Sequence, residues 1–454
     1  MTRARRCVLA AATAAAAAVS AVPAAEAVSV TAAVTAASLV LDGCSGEYRL
    51  PSSYDAREAG RTAPVKDQGD LGTCWAFASL LALESSLLPE EVWDFSEDHM
   101  SHNPDFNLEQ KDGGDYIMSM AYLLSWRGPV TEEEDPYGDG ISPQNLTAAK
   151  HVQEIRLLPS RDREEIKRAV YEVGGVQSAL YTTFSELDMQ PEYYNEQTGA
   201  YCCQEDRAPN HDVVIVGWDD DYPGENFAVE VPGDGAFLCE NSWGTQFGQD
   251  GYFYVSYYDA NLGKTSILYS RTEDPDNYDR IYQSDLCGWL GQIGYGGDTV
   301  WAVNVYQAGI EPERLDAVGF YATDQDTDYE VYVLRNVPDA PISAEEGFPL
   351  RSRAAKGHVD FAGYYTVSLE DQPVLEPGER FGIMIKIRTP DVIHPMAIEY
   401  DAGDGRCRVE LADGEGYISP DGAQWERAEQ TQDCNLCLKA YTTCLLQGKD
   451  TEQG

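Results

Sequence analysis

The chain has 454 residues, 43% of them hydrophobic, so it is long enough for more than one domain with a buried core. Its 32 basic and 77 acidic residues give a formal charge of −45, which excludes nucleic acid as a natural partner because phosphates would be repelled. The acidity is spread along the sequence, as on a solvated globular surface.

The first element in chain order is a basic start, Arg3-Ala4-Arg5-Arg6, followed by an alanine-rich apolar stretch and Ala25-Glu26-Ala27. This pattern predicts a cleaved signal peptide over 1–27, and hence a secreted or cell-surface protein. Residues 28–47 are a short leader. No later segment is long and apolar enough to predict a transmembrane span.

Gln68-Gly69-Asp70-Leu71-Gly72-Thr73-Cys74-Trp75 comes next, followed by Ala76 to Glu84, which is rich in helix formers and apolar all round. A buried helix is expected here, with Cys74 at its N-terminus, where the helix dipole favours a thiolate. Asp112-Gly113-Gly114 supplies a stretch without side chains that an extended peptide can approach. Asn210-His211-Asp212 then leads into Val213-Val214-Ile215-Val216-Gly217-Trp218, a β-branched run that predicts a buried strand. Asn241-Ser242-Trp243-Gly244 follows, after an enlarged turn over 219–235 that is expected to lie near the site and to alter access to it. A thiol needs a base to take its proton and a polar group to fix that base's tautomer, and Cys74, His211 and Asn241 supply the three. Gln68 is expected to donate to the oxyanion formed on attack. The candidate catalytic residues are therefore Gln68, Cys74, His211 and Asn241, and the candidate substrate-binding residues are Gly113, Gly114, Asn210 and Trp243.

The polar stretch 273–279, with Pro275, reads as a linker between halves that each have their own core. Beyond it, Thr299–Tyr306, Ala317–Tyr321, Tyr329–Leu334 and Arg380–Ile387 are short, β-branched or aromatic runs punctuated by Gly, Pro and Asp. They predict an all-β sandwich over 280–446, with a tail at 447–454. Asp324-x-Asp326-x-Asp328 is compatible with calcium but lacks the Gly and the bidentate Glu of an EF-hand loop, so a solvated turn is the default. No other cofactor or metal is implied. Of the 11 cysteines, Cys7 goes with the signal and Cys74 with the chemistry, which leaves an odd number. Cys239 reads as a buried free thiol, and Cys434-x-x-Cys437 as a disulfide or a pair of core thiols.

Residues 48–272 resemble the papain family in Pro64 to Trp75, Asp112-Gly113-Gly114, Gly128-Pro129-Val130, Asp135-Pro136-Tyr137, His211, Asn241, Trp243-Gly244 and Gly251-Tyr252. The resemblance implies an α+β two-lobe catalytic domain and a cysteine peptidase that hydrolyses a protein or peptide substrate. Leu71 and Lys111-Asp112 stand where the family usually has two paired cysteines, so one family disulfide is absent as a unit. Residues 280–446 resemble the lectin-like domain of some bacterial surface peptidases in Tyr282-Gln283, Gly288-Trp289, Gly294-Tyr295-Gly296, Ala302-Val303-Asn304 and Cys437 to Tyr441. That second likeness implies a cell-wall or glycan surface as a partner. The competing reading is an adhesion or binding protein with an inactive papain-like scaffold, and loss of Gln68, Cys74 or His211 would have favoured it. An amidase or transpeptidase would use the same residues.

Overall fold

The computed structural model describes residues 49–182, 192–339, 348 and 353–445. The expected signal peptide, leader and C-terminal tail lie outside them.

The N-terminal half begins with β1 (Ser53–Asp55), α1 (Cys74–Leu87), α2 (Glu97–His102) and α3 (Tyr116–Leu124). It continues with β2 (His151–Leu157), α4 (Arg163–Glu172), β3 (Val176–Leu180), β4 (Tyr194–Asn195), β5 (Ala200–Tyr201), β6 (His211–Asp219), β7 (Ala236–Glu240), β8 (Tyr252–Ser256) and β9 (Ser266–Glu273). Helix α1 is buried on every face from Trp75 to Ser85, as its unbroken apolar composition requires, and it packs against β6, β9, β3 and α3. Strand β6 is buried from Val213 to Trp218 and lies between β3 and β7, with β1 also pairing along it.

The C-terminal half is mostly strands. Arg353–Val359, Thr327–Leu334, Arg380–Arg388, Thr299–Gln307, Gly416–Ser419 and Glu426–Arg427 form one six-stranded antiparallel sheet in that order. Its inner face, including Ile383, Ile385 and Ile387, packs on Val318, Phe320, Leu438 and Ala440 of a second sheet, which makes the expected sandwich. The four predicted strands all form, each extended by a residue or more.

That second sheet does not stop at the boundary between the halves. Arg280–Tyr282, Leu438–Cys444, Glu313–Ala322 and Ala362–Ser368 run on through β2, β9, β3, β6, β7, β8 and β5 to β4 as one hydrogen-bonded path. Ala362 to Tyr365 pair with Leu157 to Glu154 of β2. A common core joins Trp75, Leu80 and Met120 to Cys287, Tyr321, Tyr364, Ala397 and Cys437. The stretch read as a linker is pinned down: Lys150 Nζ lies 2.6 Å from Asp274, and His151 bonds Asn277 at 2.7 Å. The Asp279 N–H donates to the Thr442 carbonyl at 2.8 Å. The described residues from Leu50 onward accordingly cluster as one unit. Polar composition predicts exposure of a backbone segment, but here it supplies the groups that anchor it.

The enlarged turn is also differently placed from expectation. It joins the ends of β6 and β7 at Asp219 and Ala236, while His211 is at the opposite end of β6. Eight strand steps of ~3.3 Å put it roughly 26 Å from His211. Its Tyr222 and Phe227 pack instead with Ala200, Cys202 and Tyr254.

Candidate active site

Cys74 is the first residue of α1, and no side chain caps that helix. The Thr73 hydroxyl, which would be the cap, bonds the Tyr137 hydroxyl at 2.7 Å. The positive end of the helix is thereby left open beside the sulfur. The sulfur faces the backbone N–H groups of Asp212 and Trp75, which puts it next to the strand end that carries His211.

His211 is buried, and its Nε2 lies 2.7 Å from Asn241 Oδ1. The same oxygen accepts the Ser242 N–H at 2.9 Å, so it is the acceptor atom of the amide, and His211 Nε2 carries the hydrogen. Nδ1 is left with the lone pair that a general base needs. The Trp243 ring lies 4.7 Å from the His211 ring, tilted by 33°, and covers the imidazole. Burial pushes the Cys74 thiol up to about 12, with the Asp212 charge adding to the effect. Burial pulls His211 down to about 4, against the Asn241 hydrogen bond. A lone thiolate or a lone imidazolium is unfavourable here, so proton transfer between them creates two charges that offset each other.

Gln68 is buried and zipped to the Asn241 segment: its N–H donates to the Ser242 carbonyl at 2.9 Å, and its Oε1 accepts the Ser242 hydroxyl at 2.7 Å. One hydrogen of its Nε2 goes to the Leu71 carbonyl at 2.7 Å, which leaves the second. The loop ahead of it is anchored by Lys66, whose Nζ lies 3.0 Å from Glu84 of α1 and 2.8 Å from Glu97 of α2. Where the resemblance lacks a disulfide, the chain uses the backbone. Gly72 N–H donates to the Gln110 carbonyl at 2.9 Å, and a Cβ on Gly72 would come within 2.9 Å of Gly113 N. Gly114 lies flat on Trp75, so that a Cβ there would be 2.4 Å from the indole nitrogen.

Asn210, a candidate substrate-binding residue, has its side chain on the backbone of Thr182. Its side chain accepts from the Thr182 N–H and donates to the Thr182 carbonyl, both at 2.7 Å, and this closes the edge between β3 and β6. Sequence reasoning missed Asp212. Its carboxyl accepts from Gln177 Nε2 at 2.9 Å, and Gln177 in turn accepts the Tyr269 hydroxyl at 2.8 Å. Burial raises it to about 7. The available signal was one acid at the head of an otherwise apolar strand.

Among the described residues all nine cysteines are free thiols, and Cys239, Cys434 and Cys437 are buried in the core. Of the acidic loop, Asp326 comes together with His358 and Asp360, their ligand atoms within 4.8 Å of one another. Asp328 bonds His358 at 2.9 Å, and Asp324 accepts from the Gln325 N–H.

Residues 50–269 match the family described as papain family cysteine protease, and residues 281–442 match the lectin-like domain. The chain thus joins a papain-family cysteine protease domain to a C-terminal lectin-like domain. A solved structure of the clostridial cysteine protease Cwp84 after propeptide cleavage is 28% identical, with a TM-score of 0.75 over 87% of this chain and 100% of that one. Another holds the cysteine protease and lectin-like domains of Cwp84, a surface layer associated protein of Clostridium difficile; it is 27% identical, with a TM-score of 0.74 over 87% of this chain and 89% of that one. Cathepsin L of Sarcophaga peregrina is 30% identical over 45% of this chain and 58% of its own length. Cathepsin K of Mus musculus is 29% identical over 45% of this chain and 60% of its own length. The chain therefore spans less than two thirds of these curated relatives. No helix among the described residues is long and apolar enough to cross a membrane.

Proposed function

We propose that this protein is a secreted or cell-surface cysteine endopeptidase. The observation that carries the reading is the His211 Nε2–Asn241 Oδ1 bond of 2.7 Å, on a strand end facing Cys74 at the uncapped start of α1. His211 Nδ1 takes the thiol proton as sulfur attacks the peptide carbonyl carbon. The second hydrogen of Gln68 Nε2, with the Cys74 N–H, stabilises the oxyanion. The imidazolium returns its proton to the leaving amine, and water, deprotonated by the same imidazole, releases the acyl group from sulfur. Asn241 holds the ring in the tautomer this sequence needs, and Trp243 keeps water from that bond. Gly113 and Gly114, flat against Gly72 and Trp75, offer backbone to an extended substrate.

The lectin-like half positions the enzyme on a cell-wall or glycan surface. The surface-layer association of Cwp84 supports this placement and the proposed export through residues 1–27. Calcium at Asp326 and Asp360 is the one metal proposed. Its oxygen donors suit the ion, although His358 beside them does not, and chelation followed by a surface-binding measurement tests it.

The peptidase reading is tested by a thiol-directed epoxide, which should label Cys74, abolish hydrolysis and react more slowly with His211→Ala. Labelling of a different cysteine as activity disappears would overturn the assignment.

A further inference from the structure

Two thiols of the lectin-like half, Cys287 and Cys407, meet over residues 105–107 of the N-terminal half. The Cys287 Sγ donates to the Asp105 carbonyl at 3.2 Å, and the Arg408 N–H, one peptide beyond Cys407, donates to that same oxygen at 3.0 Å. Phe106 and Cys407 pair in an isolated antiparallel bridge, and the Asn107 N–H donates to the Arg406 carbonyl at 2.8 Å. The Cys407 sulfur is itself a hydrogen-bonding neighbour of the Cys287 thiol. Cys287 is fully buried, and its N–H donates to Glu399 at 2.6 Å. Residues 401–406 are exposed, while Cys407 is turned in and packs on the core that holds Cys287 and Phe106. A fixed, buried thiol beside a more open one on a loop is the arrangement of a resolving and an attacking cysteine. The segment they hold leads to the catalytic turn: the Gln110 carbonyl accepts the Gly72 N–H at 2.9 Å, two residues before Cys74. This is also where the chain lacks the family's usual covalent tie, with Leu71 and Lys111-Asp112 in the cysteine positions.

We propose that Cys287 and Cys407 are a disulfide-forming pair, oxidised by an external disulfide, and that the closed bond clamps the 401–412 loop onto residues 105–107. The Cys407 thiolate attacks one sulfur of the external disulfide and releases its first half as a thiol. The Cys287 thiolate then attacks the Cys407 sulfur and releases the second half, and the two protein thiols give up their protons to the two leaving thiolates. The protein pair is oxidised and the external disulfide is reduced to two thiols. The bond joins residues about 120 positions apart in sequence, so it constrains the unfolded chain strongly as well as fixing the loop. Export supplies the oxidising compartment, so the place of oxidation rests on the secretion reading above, while the pairing itself does not.

The test uses the full chain carrying Cys74→Ala, so that the active-site thiol takes no part. It is incubated with oxidised glutathione, its remaining thiols are blocked under denaturing conditions, and the digest is mapped by mass spectrometry. The peptides of Cys287 and Cys407 should appear joined, two hydrogens lighter than the separate pair. Amide exchange at Asn107 and Arg408 should slow by about tenfold or more on closure and recover on reduction with dithiothreitol. Cys407→Ser, at a partly exposed position, should abolish the joined peptide and the slower exchange together while the chain stays folded. Cys287→Ser should leave glutathione on Cys407, because the resolving thiol is gone. A parent in which Cys407 stays reduced or retains glutathione would overturn the pair, as would Cys287 joined to Cys437 or to any cysteine other than Cys407. A joined pair with unchanged exchange at Asn107 and Arg408 would overturn the clamp. Because the oxidant is added, these outcomes bear on the pair alone; a pair that closes with glutathione but is reduced in protein recovered from cells counts against export.

Discussion

Replacing Asp212 with Asn should make the protein more stable at neutral and alkaline pH and leave it unchanged near pH 4. The carboxyl sits beside Cys74 and is raised from its ordinary 3.8 to about 7, chiefly by burial, with the Gln177 hydrogen bond opposing and the Asp115 charge adding. Below pH 3.8 the acid is protonated whether the chain is folded or not, and it carries no pH-linked cost. Between 3.8 and about 7 the unfolded chain ionises and the folded one does not, so stability is lost progressively as pH rises. Above 7 the full penalty is in place, at most about 4 kcal/mol from the displaced pKa, and reduced by the partial solvent contact of the residue. The amide keeps an oxygen for Gln177 Nε2, so the hydrogen bond survives the exchange. Urea denaturation of both proteins from pH 4 to 9 should show midpoints that coincide at the acid end, diverge through pH 5–7 and stay apart above. The Asn variant should also alkylate at Cys74 with an acid-shifted pH profile, because the Asp212 charge opposes the thiolate. A pH-independent gap, or a less stable Asn variant, would refute the reasoning.

Gln68→Ala should lower kcat by roughly a hundredfold or more with a smaller effect on KM, since the amide acts once charge has developed; Asn241→Ala should cost less, and steady-state kinetics of both reads the difference. Gly114→Ala drives a methyl into the Trp75 indole and should destabilise the fold by about 1–3 kcal/mol while impairing turnover, measured by denaturation and by kcat/KM. Lys66→Ala leaves Glu84 and Glu97 buried without their cation and should cost about 3–5 kcal/mol in a urea titration. A chain cut after Thr272 should be insoluble or inactive, because the cut exposes the edge of β2 and opens the core shared with Tyr321 and Tyr364; solubility and peptide hydrolysis of the fragment check it.

The candidate catalytic residues could be picked out from the sequence because each is tied to a local pattern. Cys74 precedes a run that can only be a buried helix, and His211 heads a run that can only be a buried strand. The sandwich was legible from the alternation of β-branched runs with turn residues. What the sequence concealed was long-range. Pairing of Ala362–Ser368 with β2 joins segments some two hundred residues apart, and nothing in either strand's composition names its partner. The polar stretch at 273–279 misled for the same reason: Asp274 and Asn277 look like solvent-facing groups until Lys150 and His151 are brought to them. The turn over 219–235 was misplaced because closeness in sequence to His211 is not closeness in space when a nine-residue strand intervenes. Asp212 was hidden by its neighbour, since a carboxylate after a histidine carries no periodic signal and acquires meaning only when the fold sets it against the sulfur.

The central claim is that Cys74, served by His211 and Asn241, cleaves peptide bonds. The full-length protein incubated with a diverse peptide mixture, beside a Cys74→Ala control, with new termini mapped by mass spectrometry, tests it most directly. Discrete cleavage sites produced by the parent and absent from the control are the predicted result. The same cleavages from the Cys74→Ala protein, or an intact mixture after incubation with a parent whose Cys74 is reduced and reactive, would contradict it.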